Sequence, residues 1–404
     1  RHVLPQEEHF GFEGDFLGYH LRDSGYDQNR YVPEARDRYW VRLRHRQQLP
    51  WDVRMDIRVD KSSDRGFIPE FFELESKEGD LQETYVHFRR MGPDTKWFGL
   101  TRPNWAATLT AKFHVNDFQG ESTYLPRAAF YIIGEPVRGT PLTWTSKTEA
   151  AVLKWKPGEP DNRRQIDSDG ELLPPPPHIP KPDDGPTTLR FDTVQQLDLP
   201  IKNDYFKLVP FAGVRFTAWS QHVDGHGIAR FAPFAGFRAS TQFARAYPNV
   251  RSSLLGIDGI RHIVIPEIRA YAVKETTQHA SEFIQHDAVD SFDDYEIVAL
   301  RLRNLLETHR NGRVVEFFTA DLEARLFRRA DRDNAGSGVS FLHRIRWRAT
   351  EALTFTTDGE FASEPEGYIR LNTGLEIHPP DKRFLLVLQD RYIRKGPHTL
   401  IASP

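Results

Sequence analysis

Apolar and polar residues alternate along much of the chain, and this is the pattern of β-strands with two different faces. The alternation is clearest at 51–60, where one set of positions is apolar and the other is charged: Trp51, Val53, Met55, Ile57 and Val59 against Asp52, Arg54, Asp56, Arg58 and Asp60. A period of two over ten residues predicts a long strand. Few soluble sheets carry a full charge at every other position, so the pattern favours a sheet with one hydrocarbon face and one wet face.

The same reading predicts about 16 strands, many of them long enough to cross a bilayer at a tilt. Besides the central stretch described next, the predicted strands are 14–22, 38–46, 51–60, 81–90, 95–102, 105–116, 124–134, 147–156, 297–307, 312–327, 339–349, 351–362, 367–378 and 382–394. Only 302–309 could form an amphipathic helix instead. The predicted fold class is therefore all-β, a large antiparallel transmembrane β-barrel or the central part of one.

The central stretch, 206–273, contains three consecutive strand-like segments, each with one proline near its middle: Pro210, Pro233 and Pro266. The first two segments repeat a Pro-Phe-Ala-Gly core that ends at Gly213 and Gly236, and these glycines are expected to give room for a sharp bend or bulge. Because proline cannot donate to a β-ladder, we expect the three prolines to lie in neighbouring strands and to bend the wall there. The alternative is that each proline begins a strand after a turn.

Two stretches interrupt the alternation. Residues 157–186 contain nine prolines and no hydrophobic period, which predicts a long exposed loop at 157–187 within a single barrel domain spanning 1–404. Residues 287–296 are rich in aspartate, which predicts a solvated acidic turn or, less simply, a calcium site.

Composition narrows the class of protein. The net charge is −3, so charge gives no reason to expect a nucleic-acid partner. The chain has no cysteine, which excludes disulfides and thiolate sites within it. Since it begins at Arg1 and shows no apolar signal core, we expect a fragment or a processed piece.

Nothing in the sequence makes a positive case for catalysis or for a cofactor. His222 and His226 are four residues apart, but the neighbouring glycines indicate a loop rather than a metal-binding helix. No phosphate-binding glycine loop and no nucleophile elbow is visible. The expectation is a non-enzyme with no catalytic, cofactor or metal residues.

The charged positions of the strands are the candidate functional residues, predicted to face a barrel lumen. They are Arg42, Arg44, Arg54, Asp56, Arg58, Lys112, Asp321, Glu323 and Arg325. In the simplest interpretation they pair with opposite charges on neighbouring strands. They could also line a wet channel and meet phosphate or carboxylate groups of an amphiphile.

Several stretches, in the same order, resemble the barrel of the lipopolysaccharide-assembly protein LptD family, also called organic solvent tolerance protein. They are GDFLGYHLRDSGYDQNR (14–30), RYWVRLRHRQQLPWDVRMDIRVDKSSDRGFIPEFF (38–72), YLPRAAF (124–130), FDTVQQLDLPIKNDYFKLVPFAGVRFTAWS (191–220), IRHIVIPEIRAYAV (260–273) and DSFDDYEIVALRLRNLLETH (290–309). The resemblance covers the middle of the family's barrel. The family's jelly-roll domain, its first and last barrel strands with the lateral gate, and its paired cysteines have no counterpart here.

The resemblance implies a function in the outer membrane of a Gram-negative cell: assembly of lipopolysaccharide into the outer leaflet. The implied partners are lipopolysaccharide, a plug lipoprotein of the LptE kind and the periplasmic Lpt bridge. Two alternatives remain open: a general outer-membrane porin, and a soluble secreted β-rich protein that binds or hydrolyses carbohydrate. Aromatic girdles at both ends of the apolar face would favour a membrane barrel, and the candidates are Tyr39, Trp51, Trp97, Trp105 and Trp347.

Overall fold

A computed structural model gives the fold. It describes residues 2–3, 11–23, 25–27, 30–33, 36–72, 82–92, 104–221, 225–274, 276–328, 338–364, 366–378, 385–396 and 398–403. Strands make up 67% of the structure and helices 2%, so the all-β prediction is confirmed. In the described part, no helix is both long enough and apolar enough to cross a membrane.

The strands and the short helices follow one another along the chain in this order. They are β1 (His2–Val3), β2 (Phe12–Arg22), β3 (Asp37–Leu49), β4 (Val53–Ser62), α1 (Phe67–Phe71), β5 (Thr84–Gly92), β6 (Trp105–Phe113), β7 (Glu121–Pro136), β8 (Thr143–Lys156), β9 (Thr187–Asp198), β10 (Ile201–Lys202), β11 (Lys207–Trp219), β12 (Ile228–Ser240), β13 (Phe243–Ser252), β14 (Ile257–Val273), a 3₁₀ turn (Ala280–Glu282), β15 (Tyr295–Arg310), β16 (Arg313–Arg328), β17 (Gly338–Arg348), β18 (Leu353–Ser363), β19 (Glu366–Ile377), β20 (Leu386–Ile393) and β21 (Thr399–Ser403).

Among the described residues these strands form one antiparallel sheet of 21 strands, in which most strands pair with the next one in sequence. The two departures are β11, which pairs with β9 and β12, and β14, which pairs with β12, β13 and β15. The described strands do not close into a barrel, so closure and membrane insertion stay predictions.

The sheet has more strands than the pattern predicted because β9 was not predicted at all and because two long strands are interrupted. β9 and β10 pair with β11 in the same register, and residues 199–200 between them belong to neither strand. β12 and β13 likewise pair with β14 in the same register on both sides of residues 241–242, which belong to neither strand. Short strands such as β1 and β21 carry too few residues to show a period.

Other sequence-based boundaries can be compared directly. The stretch 302–309 lies within β15 and is not helical, and Asn311-Gly312 forms the β15–β16 turn with positive φ at both residues, as a tight hairpin requires. Trp51 was predicted to be the first residue of a strand, but it lies in the β3–β4 turn with its side chain 80% exposed. The whole of the predicted strand at 95–102, including Trp97, lies outside the described residues.

The connections differ between the two ends of the strands. The three longest connections, 63–83, 157–186 and 274–294, lie at one end, here called the long-loop end. The other end, here called the short-turn end, has the turns 50–52, 253–256 and 311–312 and also the longer β5–β6 connection, while the two-residue β18–β19 connection lies at the long-loop end. The proline-rich stretch 157–186 contains only isolated bridges, and its flanking strands β8 and β9 pair with each other. The loop therefore leaves and re-enters the same sheet.

Candidate functional site: the polar face and the loop docked on it

One face of the sheet, here called the polar face, carries the charged residues that the sequence predicted. On β3 and β4 it presents Arg42, Arg44, Arg54, Asp56 and Arg58. Nε of Arg54 lies 2.9 Å from the Asp56 carboxylate, and Arg42 lies 3.9 Å from Asp15. The Arg58 guanidinium lies 3.2 Å from Asp60. Arg44 is opposite Arg58 on β4 and Asp15 on β2.

The other four predicted residues also make ion pairs on this face. Lys112 lies 2.7 Å from Glu83 and 3.1 Å from Glu121. On β16, Asp321 accepts hydrogen bonds from Arg301, and Glu323 accepts them from Arg325 and from Arg269 at 2.7 Å. The structure thus pairs these charges with one another, as the simplest interpretation expected. Whether they line a lumen stays a prediction.

A loop that the sequence analysis did not single out as a site lies against the polar face. Residues 276–294, here called the docked loop, connect β14 to β15 and are held by Arg190 of β9. The Arg190 guanidinium donates to both carboxylate oxygens of Asp287 at 2.8 Å, to Asp290 at 2.9 Å and to Glu149 of β8 at 2.8 Å. The Arg190 side chain is fully buried. One strand residue therefore binds two loop carboxylates in a site closed to water.

Arg230 of β12 forms the second anchor of the docked loop. Its guanidinium donates to the backbone carbonyls of Val289 at 2.6 Å, Asp290 at 3.1 Å and Phe292 at 2.6 Å. Beside it, Trp219 stacks on Phe283 with ring centroids 4.1 Å apart, and its Nε1 donates to Asp290 at 3.0 Å. A buried cation bound to three carbonyls fixes the path of the loop backbone as well as its side chains.

Burial and neighbouring charges shift the pKa values of Asp287 and His286, among other residues of the loop. Burial alone would raise the pKa of Asp287, but the hydrogen bonds and charge of Arg190 outweigh it and lower this pKa to about 2. Burial lowers the pKa of His286, whose Nδ1 lies 3.0 Å from the Ser122 hydroxyl. The docked position of the loop is therefore favoured when the Asp287 carboxyl group is charged and the His286 imidazole is neutral.

The prediction of a solvated acidic turn at 287–296 is wrong. Asp290 and Asp293 are buried, and their carboxylates bind Arg190 and His279. The sequence analysis missed Arg190 and Arg230 because their partners lie 60 to 100 residues away along the chain. The sequence did carry a signal, because each of these arginines alternates with apolar residues on either side, as the charged residues of the other strands do.

A second buried cluster covers the polar face nearer the start of the chain. Arg38 of β3 makes two 3.0 Å hydrogen bonds to Asp64 and also binds Asp23 and Glu70. Trp40 packs on Phe67 of α1 and donates to Asp60 at 2.8 Å. This cluster fixes α1 and the β2–β3 and β4–β5 connections against the sheet.

The proline-rich loop contributes to the same region. Arg163 lies 2.9 Å from Asp27, and an isolated bridge joins Tyr31 to Gln165. Part of the predicted exposed loop is thus pinned to the β2–β3 connection, whereas every residue of 168–184 is exposed.

Pro210, Pro233 and Pro266 lie inside β11, β12 and β14, which are hydrogen-bonded neighbours. The carbonyls of Pro210 and Pro266 accept from Leu199 and Thr241, the residues at the two strand interruptions. Because a strand residue directs its N–H and C=O to the same neighbour, each missing proline donor faces a break in the adjacent strand. Pro210 and Pro266 thus coincide with gaps in the ladder, whereas Pro233 lies opposite Val214 of β11; a bend of the wall stays a prediction.

The repeated Pro-Phe-Ala-Gly core has a symmetric role in the sheet. In the β11–β12 register Phe211 lies opposite Gly236, and Gly213 lies opposite Phe234. A Cβ on Gly213 would lie 2.4 Å from the Phe234 ring, and one on Gly236 would lie 2.6 Å from the Phe211 ring. Each glycine therefore makes room for the aromatic ring of the other repeat. This differs from the expectation that the glycines serve a bend or bulge.

No group of three metal-ligating side chains occurs in the part of the chain that is described. His222 lies outside that part, and His226 follows it in a loop. The predicted absence of a metal site is not tested by this finding.

Comparison with known proteins adds no relative. No protein-family model matches the chain. No curated protein matches it at a significant level either.

Proposed function

We propose that this chain is part of an outer-membrane β-barrel that assembles lipopolysaccharide into the outer leaflet. The proposal rests on the polarity of the sheet, which is the reverse of the polarity expected in a soluble protein. Buried arginines and carboxylates occupy one face, while large apolar residues such as Leu300, Leu322 and Phe341 are exposed on the other. A transmembrane barrel with a polar interior has this polarity, since lipid covers its outer face.

The connections fit the same proposal. Outer-membrane barrels have short periplasmic turns and longer extracellular loops. By that rule the long-loop end of this sheet would lie outside the cell and the short-turn end in the periplasm. Exposed aromatics occur toward both ends of the apolar face, with Trp51 and Trp347 toward the short turns and Tyr368 and Tyr392 toward the long loops.

The docked loop favours an assembly barrel over a general porin. A porin keeps an open aqueous channel, whereas the 276–294 loop covers the polar face of β8, β9, β11 and β12 with buried ion pairs. A barrel that passes a bulky amphiphile to one leaflet has to stay closed to water between transport events.

Three measurements test the proposal on the full-length protein in its host. Extraction of the membrane fraction should release it with detergent and not with salt, and release by salt alone would instead support a soluble carbohydrate-binding protein. In planar bilayers it should conduct poorly, whereas free conductance would support a porin. Depletion should reduce lipopolysaccharide that is accessible at the cell surface, and an unchanged surface level would refute the assembly role.

A further inference from the structure

The short-turn end of the polar face holds arginines whose strand neighbours are neutral. Most of the arginines described above lie beside carboxylates, as Arg301 does opposite Glu323 and bound to Asp321, and Arg230 is bound by loop carbonyls. On β17, Arg344 is likewise directly opposite Asp321 and Asp358. The next two arginines on the same face of β17 have neutral neighbours, since Arg346 lies between Thr319 and Thr356 and Arg348 lies opposite Thr354.

These two side chains border a cavity of about 1020 Å³, together with Arg313 of β16. Among the described residues, no carboxylate lies within ion-pair distance of Arg313, Arg346 or Arg348. The two carboxylates that line the cavity have other partners: Glu351 accepts from Asn311, and Glu376 lies 3.8 Å from His378. Among the described residues, the cavity lining therefore has more arginines than carboxylates.

A fourth arginine fixes the wall of this cavity. Arg310 donates to the carbonyl of Leu255 at 2.8 Å and to that of Arg348 at 2.9 Å, so it joins the β13–β14 turn to the end of β17. The hydrogen bonds of Arg310 go to neutral backbone carbonyls, so its positive charge adds to the charge of the cavity lining. With four arginines against two glutamates, the lining carries an excess of two positive charges.

We propose that this cavity binds phosphate groups. Guanidinium groups bind phosphate oxygens in pairs of parallel hydrogen bonds, and Arg346 and Arg348, two residues apart on one face, lie about 7 Å from each other. A doubly charged anion would neutralise the excess charge. Phosphate binding itself does not depend on the proposed function; only the identity of the molecule that carries the phosphate does. If the proposed function holds, a phosphorylated amphiphile arriving from the periplasm would reach this cavity first, because the cavity lies at the short-turn end.

Isothermal titration calorimetry on the full-length protein in dodecyl maltoside tests the site with two probes. One is free pyrophosphate; the other is dilauroyl phosphatidic acid in the same micelles, with diacylglycerol as the lipid that lacks phosphate. Binding of either phosphate probe is expected, and binding of phosphatidic acid over diacylglycerol identifies lipid as a carrier. Binding of neither probe would overturn the proposal.

Four single variants locate the binding. Arg346→Gln and Arg348→Gln should each weaken binding by about tenfold, the effect of losing one charge-assisted hydrogen-bonded contact. Arg344→Gln makes the same charge change on the same strand face but outside the cavity, and it should leave affinity unchanged. Arg346→Lys should retain part of the affinity, because it keeps charge without the bidentate geometry.

The controls separate this inference from the assembly role. Equal weakening by Arg344→Gln would overturn the proposal in favour of diffuse attraction to the whole face. If the protein binds phosphate but its depletion leaves surface lipopolysaccharide unchanged, the assembly function is refuted and the phosphate site stands.

Discussion

Replacing Arg190 by Met should release the docked loop while the sheet stays folded. The substitution removes the cation from among Glu149, Asp287 and Asp290, and the side chains of Glu149 and Asp290 are fully buried. Removing one partner of a buried ion pair costs about 3–5 kcal/mol, because the remaining charge stays in a low-dielectric site. Asp287 and Asp290 can escape this cost by returning to water, and they can do so only if the loop lifts off.

Hydrogen exchange measured by mass spectrometry reports that event. A loss of about 3 kcal/mol in docking free energy corresponds to roughly 100-fold faster exchange in 280–292. Peptides from β15 and β16 should keep their protection, since Arg190 makes no contact with these strands. Arg251→Met is the matched control, because the Arg251–Asp258 pair is exposed and worth at most about 1 kcal/mol.

Two results would refute the reasoning. Unchanged exchange in 280–292 would mean that the Arg230 and Trp219 contacts hold the loop without Arg190. Uniform loss of protection over all strands would mean that the loop is an inseparable part of the sheet's stability, not a separately docked element.

Three further predictions follow from the same contacts. Gly213→Ala should destabilise the protein by about 1–3 kcal/mol in urea unfolding, because its Cβ would meet the Phe234 ring at 2.4 Å; Gly338→Ala, with only a 3.9 Å neighbour, should be near neutral, and equal effects would contradict this role. Burial lowers the pKa of His286, whereas the hydrogen bond to Asp293 raises the pKa of His279 in the same loop, so the two histidines oppose each other as pH falls. In a His279→Gln protein only the His286 effect remains: docking should be complete above about pH 6.5 and weaken below it, and protection of 280–292, taken relative to the intrinsic exchange rate at each pH, that does not fall in acid would refute this. Gly312→Ala should cost about 1–2 kcal/mol, because φ at this turn residue is +73°; an unchanged unfolding midpoint would contradict the strained-turn argument.

Period-two alternation was enough to predict most of the strands, though not β9, because each residue's face depends on its immediate neighbours. Thus β4, with Val53 and Met55 opposed to Arg54 and Asp56, lies close to its predicted position. The loop contacts could not be predicted the same way. Asp290 reads as a solvated acid beside its neighbours in sequence, and only the fold brings it to Arg190, one hundred residues earlier.

The interruptions of the strands show a different limit. Pro210 and Pro266 were recognised as weak points of a ladder, but the sequence does not say which neighbour each missing donor faces. The register answers this, since both prolines face breaks in the adjacent strand. The glycines of the repeat were assigned to bending because their aromatic partners belong to the other copy, 23 residues away in the chain.

The polarity of the sheet also limits the surroundings in which it can be stable. On β15, Leu300 and Leu302 point away from the buried charges and remain 56% and 39% exposed, and Phe341 of β17 is 51% exposed beside them. Burial of apolar area is worth about 25 cal/mol per Å², so a continuous face of this kind in water forgoes the main favourable term of folding. The charged face cannot supply the deficit, because a buried ion pair rarely exceeds the desolvation cost of its members. A sheet built this way gains its stability when hydrocarbon covers the apolar face. That requirement favours a lipid environment over a soluble sandwich, in which the two faces would be expected to have the opposite exposure.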